Sequence, residues 1–154
     1  MTERSVTHAT FVVERVYPAG PARVFAAWAD ANAKARWFGP PEEGVDEYTL
    51  DFRIGGREWS KGRNPNGGQT YTYEARYYDI VPDARIVTAY EMHLDGTRIS
   101  VSLGTVELKP KGKGTRLTYT EQGAFLDGFD KPELREKGTI DLLDALGRDI
   151  ERNP

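Results

Sequence analysis

Glu121 is the residue of this chain best placed to do chemistry. It lies in GTRLTYTEQG (114–123) and shares strand parity with Leu117 and Tyr119, so its carboxylate points with them toward the apolar side. A carboxylate in that position needs a partner, or its pKa rises. Arg57, which shares parity with Trp59, is the partner the pattern offers. Glu121 is then either a structural or rim carboxylate, or a group that orients a ligand or moves a proton together with a tyrosine hydroxyl. The other reactive residues carry less. The two histidines, His8 and His93, are far apart in the chain and give no metal-ligand spacing. There are no cysteines, which removes disulfides, thiolate catalysis and Cys-type zinc sites. Ser60, Ser100 and Ser102 lie in strand patterns with no nucleophile-elbow context. KPKGKGTR (109–116) lacks the phosphate-loop spacing and reads as a hairpin turn. No metal and no cofactor is expected.

A set of large residues surrounds Glu121 in the pattern. Phe52, Trp59, Tyr73, Tyr90 and Tyr119 are expected to point into one concave face, with Trp37 plugging one end. Phe125 and Phe129 would form a lid, and Leu143 and Leu146 would face them from a helix. Such residues also fill ordinary cores, so for each of them plain packing and pocket lining remain open.

These side chains need elements to hold them. Residues 10–17, TFVVERVY, read as a strand. Pro21 fits a first helical position, and Val24, Phe25 and Trp28 share one helical face. Asp30 can start a second short helix over 31–38, ended by GPP at 39–41. Strands follow at 47–54, 57–62, 70–80, 85–94, 97–109 and 114–123, separated by Gly55-Gly56, NPNGG (64–68), Pro82-Asp83 and the hairpin signal Asp95-Gly96. Between 97 and 109, Ile99, Val101 and Leu103 share one parity and Val106 and Leu108 the other, which predicts a β-bulge at Gly104. The chain closes on an amphipathic helix carrying Ile140, Leu143, Leu146 and Ile150, with Asp130 as a candidate cap and Gly138 as a kink or true start. The order is an α+β one: a strand, two short helices, an antiparallel meander and a long helix to cover its concave face.

That order, together with VERVYPAGPARVFAAWAD (13–30), KARWFGP (34–40), the Gly55-Gly56 pair, YEARYYDIVPDARIV (73–87), GTRLTYTEQG (114–123) and the Leu-rich end, resembles the START-like (SRPBCC) superfamily. The nearer likeness is to its activator of heat-shock-protein ATPase homologue, C-terminal-domain-like branch. The resemblance implies a helix-grip fold: a curved antiparallel sheet of six to seven strands around the C-terminal helix, with a cavity between them. Residues 9–152 would form the single domain, after a flexible 1–8. Proteins of this kind bind lipids, sterols, polyketides or other hydrophobic molecules, and some are cyclases or dehydratases. Thr139 stands where the pattern leads one to expect a bulky aromatic.

The expected function is binding of a small hydrophobic or aromatic ligand, with binding alone favoured over catalysis and the enzyme question open. The alternatives are a cyclase or dehydratase using Glu121 and a tyrosine, and a co-chaperone-like or stress-response interaction module. A net charge of -3 argues against nucleic acid as a partner. No stretch of 18 apolar residues is present, so no membrane insertion is expected, and the MTERSVTHAT start has no apolar signal region. A cytoplasmic protein is the default. Edge strands leave a homodimer open.

Overall fold

A computed structural model describes residues 3–38, 45–63 and 68–154. The expected ends at GPP (39–41) and most of the NPNGG turn lie outside the described residues. The elements run β1 (Val6–Tyr17), α1 (Pro21–Ala29), α2 (Ala31–Trp37), β2 (Val45–Leu50), β3 (Arg57–Arg63), β4 (Thr70–Val81), β5 (Arg85–Leu94), β6 (Thr97–Lys111), β7 (Gly114–Leu126) and α3 (Pro132–Arg152). They form one seven-stranded antiparallel sheet in the order β1-β7-β6-β5-β4-β3-β2. This is the α+β helix-grip arrangement, with α3 lying against the concave face.

Local chemistry explains most boundaries. Asp30 closes α1 and caps α2, its side chain accepting from the Ala33 N–H at 2.9 Å, which satisfies one of the orphan donors of the first turn. Asp95 and Gly96 both take positive φ, 48° and 82°, the type I′ geometry that matches the twist of a hairpin. β1 begins at Val6, inside the stretch expected to be flexible, because its pairing with β7 continues out to Val6–Leu126. α3 starts at Pro132 and passes through Gly138. Asp130 is not the cap residue; Lys131 is, and Asp130 is turned toward Arg135 instead.

Two expectations about the strands need correction. The run 47–54 is not one strand. β2 ends at Leu50 and residues 51–56 fold back, with Arg53 N–H donating to the Asp51 carbonyl and Gly56 N–H to that of Arg53. A Cβ on Gly56 would lie 2.0 Å from the Asp51 carbonyl oxygen, so the turn requires glycine there. The bulge in β6 is at Ile99, not Gly104: Met92 pairs Ser100 and His93 pairs Arg98, leaving Ile99 extra. Beyond it the strand stays in phase, with Ser100, Ser102, Gly104, Val106 and Leu108 inward and Val101 and Leu103 exposed outside. The apolar pattern misled because small residues hold the inner face of this strand. They make room for bulky neighbours: a Cβ on Gly104 would sit 2.6 Å from the Tyr119 hydroxyl. A second irregularity in β4, at Tyr78, also helps bend the sheet.

The core lies at one end of the grip. Leu143, Leu146 and Ile150 of α3 are buried against Val24, Trp28, Trp37, Val13, Tyr17 and Leu117. Tyr17 donates to the Leu143 carbonyl at 2.8 Å, and Gly147 lets its ring approach. The Arg36 guanidinium holds Asp149 through two hydrogen bonds, at 2.8 and 3.2 Å, which ties α2 to α3. The C-terminal half of α3 is thus anchored, while its N-terminal half crosses over open space.

A candidate ligand cavity

That open space is a cavity of about 580 Å³ between the sheet and α3. Native cores are packed nearly without voids larger than a water molecule, so a cavity of this size is a feature of its own. Its aromatic wall is continuous. Phe38 and Tyr73 meet at 5.1 Å between ring centroids, and Tyr73 and Tyr90 at 4.8 Å. Trp28, Trp37, Tyr77, Tyr119, Ile86, Met92, Val106 and Leu143 add to the lining, and Leu134, Gly138 and Leu142 close it from α3. Burial raises the pKa of the Tyr73, Tyr77, Tyr90 and Tyr119 hydroxyls well above the ordinary tyrosine value, and the neighbouring carboxylates, Glu58 or Glu121, push the same way. These groups are therefore neutral hydrogen-bond donors.

Polar clusters stand at two places in this wall. At the first, Glu121 on β7 is 1% exposed. Its Oε1 accepts from Tyr90 at 2.7 Å and from Tyr119 at 2.8 Å. Arg135 descends from α3, donating to the Tyr90 hydroxyl, Ser100 Oγ and Asp130 at 2.8–2.9 Å, with Nη1 3.5 Å from Glu121 Oε2. At the second, Glu58 on β3 is wholly buried and accepts from Lys34 Nζ, from Tyr48 at 2.6 Å and from Tyr77 at 2.8 Å. Lys34 Nζ is 2.7 Å from Glu58 Oε2 and lies 4.4 Å from the centre of the Phe38 ring. Burial pulls the Lys34 pKa down; the charge of Glu58 opposes that.

The structure brings together Trp37, Tyr73, Tyr90, Tyr119, Glu121 and Leu143 around the cavity. The other expected residues lie elsewhere. Phe52, carried by the 51–56 turn, packs edge-on against Phe25 and Tyr77 at 5.6 and 5.0 Å. Trp59 is on the opposite face from Glu58 and Ser60, where its indole N–H donates to Glu47. Phe125 is buried beneath the Arg135 guanidinium, 5.2 Å from ring centre to Cζ. Phe129 is 49% exposed and does not line the cavity, and Leu146 is buried in the core. The partner of Glu121 is Arg135 and not Arg57, which pairs with Glu74 at 2.6 Å. Sequence reasoning missed Lys34, Glu58 and Arg135. For Lys34 a signal existed, since it shares a helical face with Trp37 three residues on. His93 is half-buried, 3.3 Å from Glu91. Among the described residues no cluster of three His, Cys, Asp or Glu could hold a metal, and no helix is long and apolar enough to cross a membrane.

Comparison with known proteins decides the family. The model of the activator of Hsp90 ATPase homolog 1-like protein family matches residues 18–148. This chain belongs to that family. The AHSA1-like chain is similar to a protein of Rhizobium leguminosarum at 46% identity, covering 98% of this chain and 99% of that one with a TM-score of 0.93. It is also similar to the Mll3558 protein of Rhizobium loti, at 49% identity over 94% of this chain and 99% of the other, with a TM-score of 0.86. An AHSA1-like protein from Aeromonas hydrophila shares the fold at 17% identity and a TM-score of 0.72, with 94% of each chain covered. No protein of curated function matches the sequence. AHSA1-like proteins share the SRPBCC fold, which commonly holds a ligand cavity.

Proposed function

We propose that this AHSA1-like protein binds a small, mainly apolar molecule between the sheet and α3. One observation carries the reading: a cavity of about 580 Å³ walled by aromatic side chains, within the ~300–1,000 Å³ range of small-molecule sites. The lining supports binding rather than turnover. Tyr90 and Tyr119 both donate to one oxygen of Glu121, and their raised pKa values keep them protonated at neutral pH. Neither is set to give up a proton, and Glu58 is already taken by three donors.

Naphthalene is a suitable first probe. Wild-type protein is expected to take it up in calorimetric titration, and native mass spectrometry of freshly purified protein is expected to show a small adduct that is absent from the denatured mass. Thr88 lines the cavity, so Thr88→Phe fills part of it and should abolish uptake while the circular dichroism stays native. Wild-type protein that takes up neither the probe nor a natural adduct, or a folded T88F that binds as well as wild type, would falsify the reading.

A further inference from the structure

The cations of the cavity interior are committed. Lys34 is held by both oxygens of Glu58, and Arg135 donates to Tyr90, Ser100 and Asp130 while facing Glu121. At the Arg135 cluster two carboxylates, Glu121 and Asp130, oppose one guanidinium, which leaves one net negative charge. Arg148 also lines the cavity, but it is exposed. Acceptor capacity, by contrast, is left over. Glu121 Oε2 is buried and has no hydrogen bond; Arg135 Nη1 lies 3.5 Å away, in ion-pair range but beyond a good hydrogen bond. A buried acceptor left unmade is costly, and more so on a charged group.

We infer that the Glu121–Arg135 end of the cavity receives the hydrogen-bond-donating head of its ligand, a hydroxyl or an amine on an aromatic or aliphatic body, and rejects a carboxylate. This rests on the cavity being a ligand site. The head donates to Glu121 Oε2. A hydroxyl head also accepts from Arg135, completing two groups that fall just short of each other. Oε2 is covered in this conformation, with the Arg135 side chain of α3 lying against it, so the head reaches it by displacing that side chain from Oε2. A ligand carboxylate would meet net negative charge there, and the one guanidinium beside it, Arg135, already faces both Glu121 and Asp130, so too little is left to offset the loss of its own hydration. Head-group choice thus comes from the polar cluster, and affinity from the aromatic wall.

The test compares naphthalene, 2-naphthol and 2-naphthoate on the wild-type protein by calorimetry at neutral pH. The expected order puts 2-naphthol about tenfold or more tighter than naphthalene, the size of one hydrogen bond to a charged acceptor, with 2-naphthoate weakest. In Glu121→Gln the charge is gone and an amide donor is present, so the preference for naphthol over naphthoate should fall by about tenfold. The wild-type series decides the matter even if that variant does not fold. Naphthoate binding as tightly as naphthol overturns the inference. So does naphthol binding no better than naphthalene, while uptake of naphthalene leaves the cavity reading in place. If no probe binds, both fall together.

Discussion

Among single residues, Glu58 and Lys34 make the sharpest case. Both are almost fully buried, and they neutralise each other across the 24 residues that separate them in the chain. Removing one partner strands the other charge, whereas Lys34→Met with Glu58→Gln leaves two neutral side chains and an amide oxygen that can still accept from a tyrosine hydroxyl. Glu58→Gln or Lys34→Met should each cost roughly 3–5 kcal/mol, and the double variant should lie closer to wild type than either single. Urea unfolding midpoints check this; a double variant as unstable as the sum of the singles would show that the pair is not a unit. Glu121 was legible from parity because its neighbours Leu117 and Tyr119 face inward. Glu58 was not legible, because a strand reading REWSKGR assigns the tryptophan to the inside and the glutamate to the outside. The opposite holds, since three donors on other elements await that carboxylate. No local rule can see those donors.

Among elements, α3 is divided in use. Its C-terminal half packs, while its first half roofs the cavity with Gly138 in the middle. A Cβ on Gly138 meets nothing within 4 Å, so Gly138→Ala should stabilise the protein by roughly 0.5–1 kcal/mol through helix propensity and a less flexible unfolded chain. Gly138→Leu places a larger side chain at the cavity and should weaken naphthalene uptake without loss of helix content. Thermal unfolding and calorimetry measure the two effects, and a destabilised G138A would show that the helix needs flexibility there. The helix was readable from its Leu and Ile spacing, as were α2 from its Asp30 cap and the β5–β6 hairpin from Asp95-Gly96. The rotation of α3 that sends Arg135 to Glu121 was not readable, because it depends on how the anchored half meets α1 and α2. The bulge was misplaced for a related reason: Ser100, Ser102 and Gly104 face inward because of the rings and the guanidinium opposite them.

For the molecule as a whole, six tyrosines, Tyr17, Tyr48, Tyr73, Tyr77, Tyr90 and Tyr119, have pKa values raised in the folded state, with burial the main cause. Each is un-ionised when folded but ionises near pH 10 when unfolded. Their contribution is therefore fully present below about pH 10 and is lost as pH rises beyond it, at about 1.4 kcal/mol per pH unit per tyrosine. Lys34, whose pKa is lowered, acts in the opposite sense, but it is a single group. The urea midpoint is expected to drop steeply above pH 10. A midpoint unchanged at pH 11 would mean that the hydroxyls are not buried as described.

The place of β1 in the sheet has a consequence in time. It is the first described strand of the chain, yet among the described residues its one strand neighbour is β7, with partners running from Tyr17–Thr115 to Val6–Leu126. The strands from β2 to β7 can zip hairpin by hairpin as each emerges. β1 has nothing to join until β7, Gly114–Leu126, is made, and α3, which buries Leu143 and Leu146 near Tyr17, comes later still. Distant pairings of this kind slow folding, because the loop must close before any contact rewards it. On the ribosome, the apolar edge that opens the sequence is therefore the last strand to be housed, and it waits unpaired through most of synthesis.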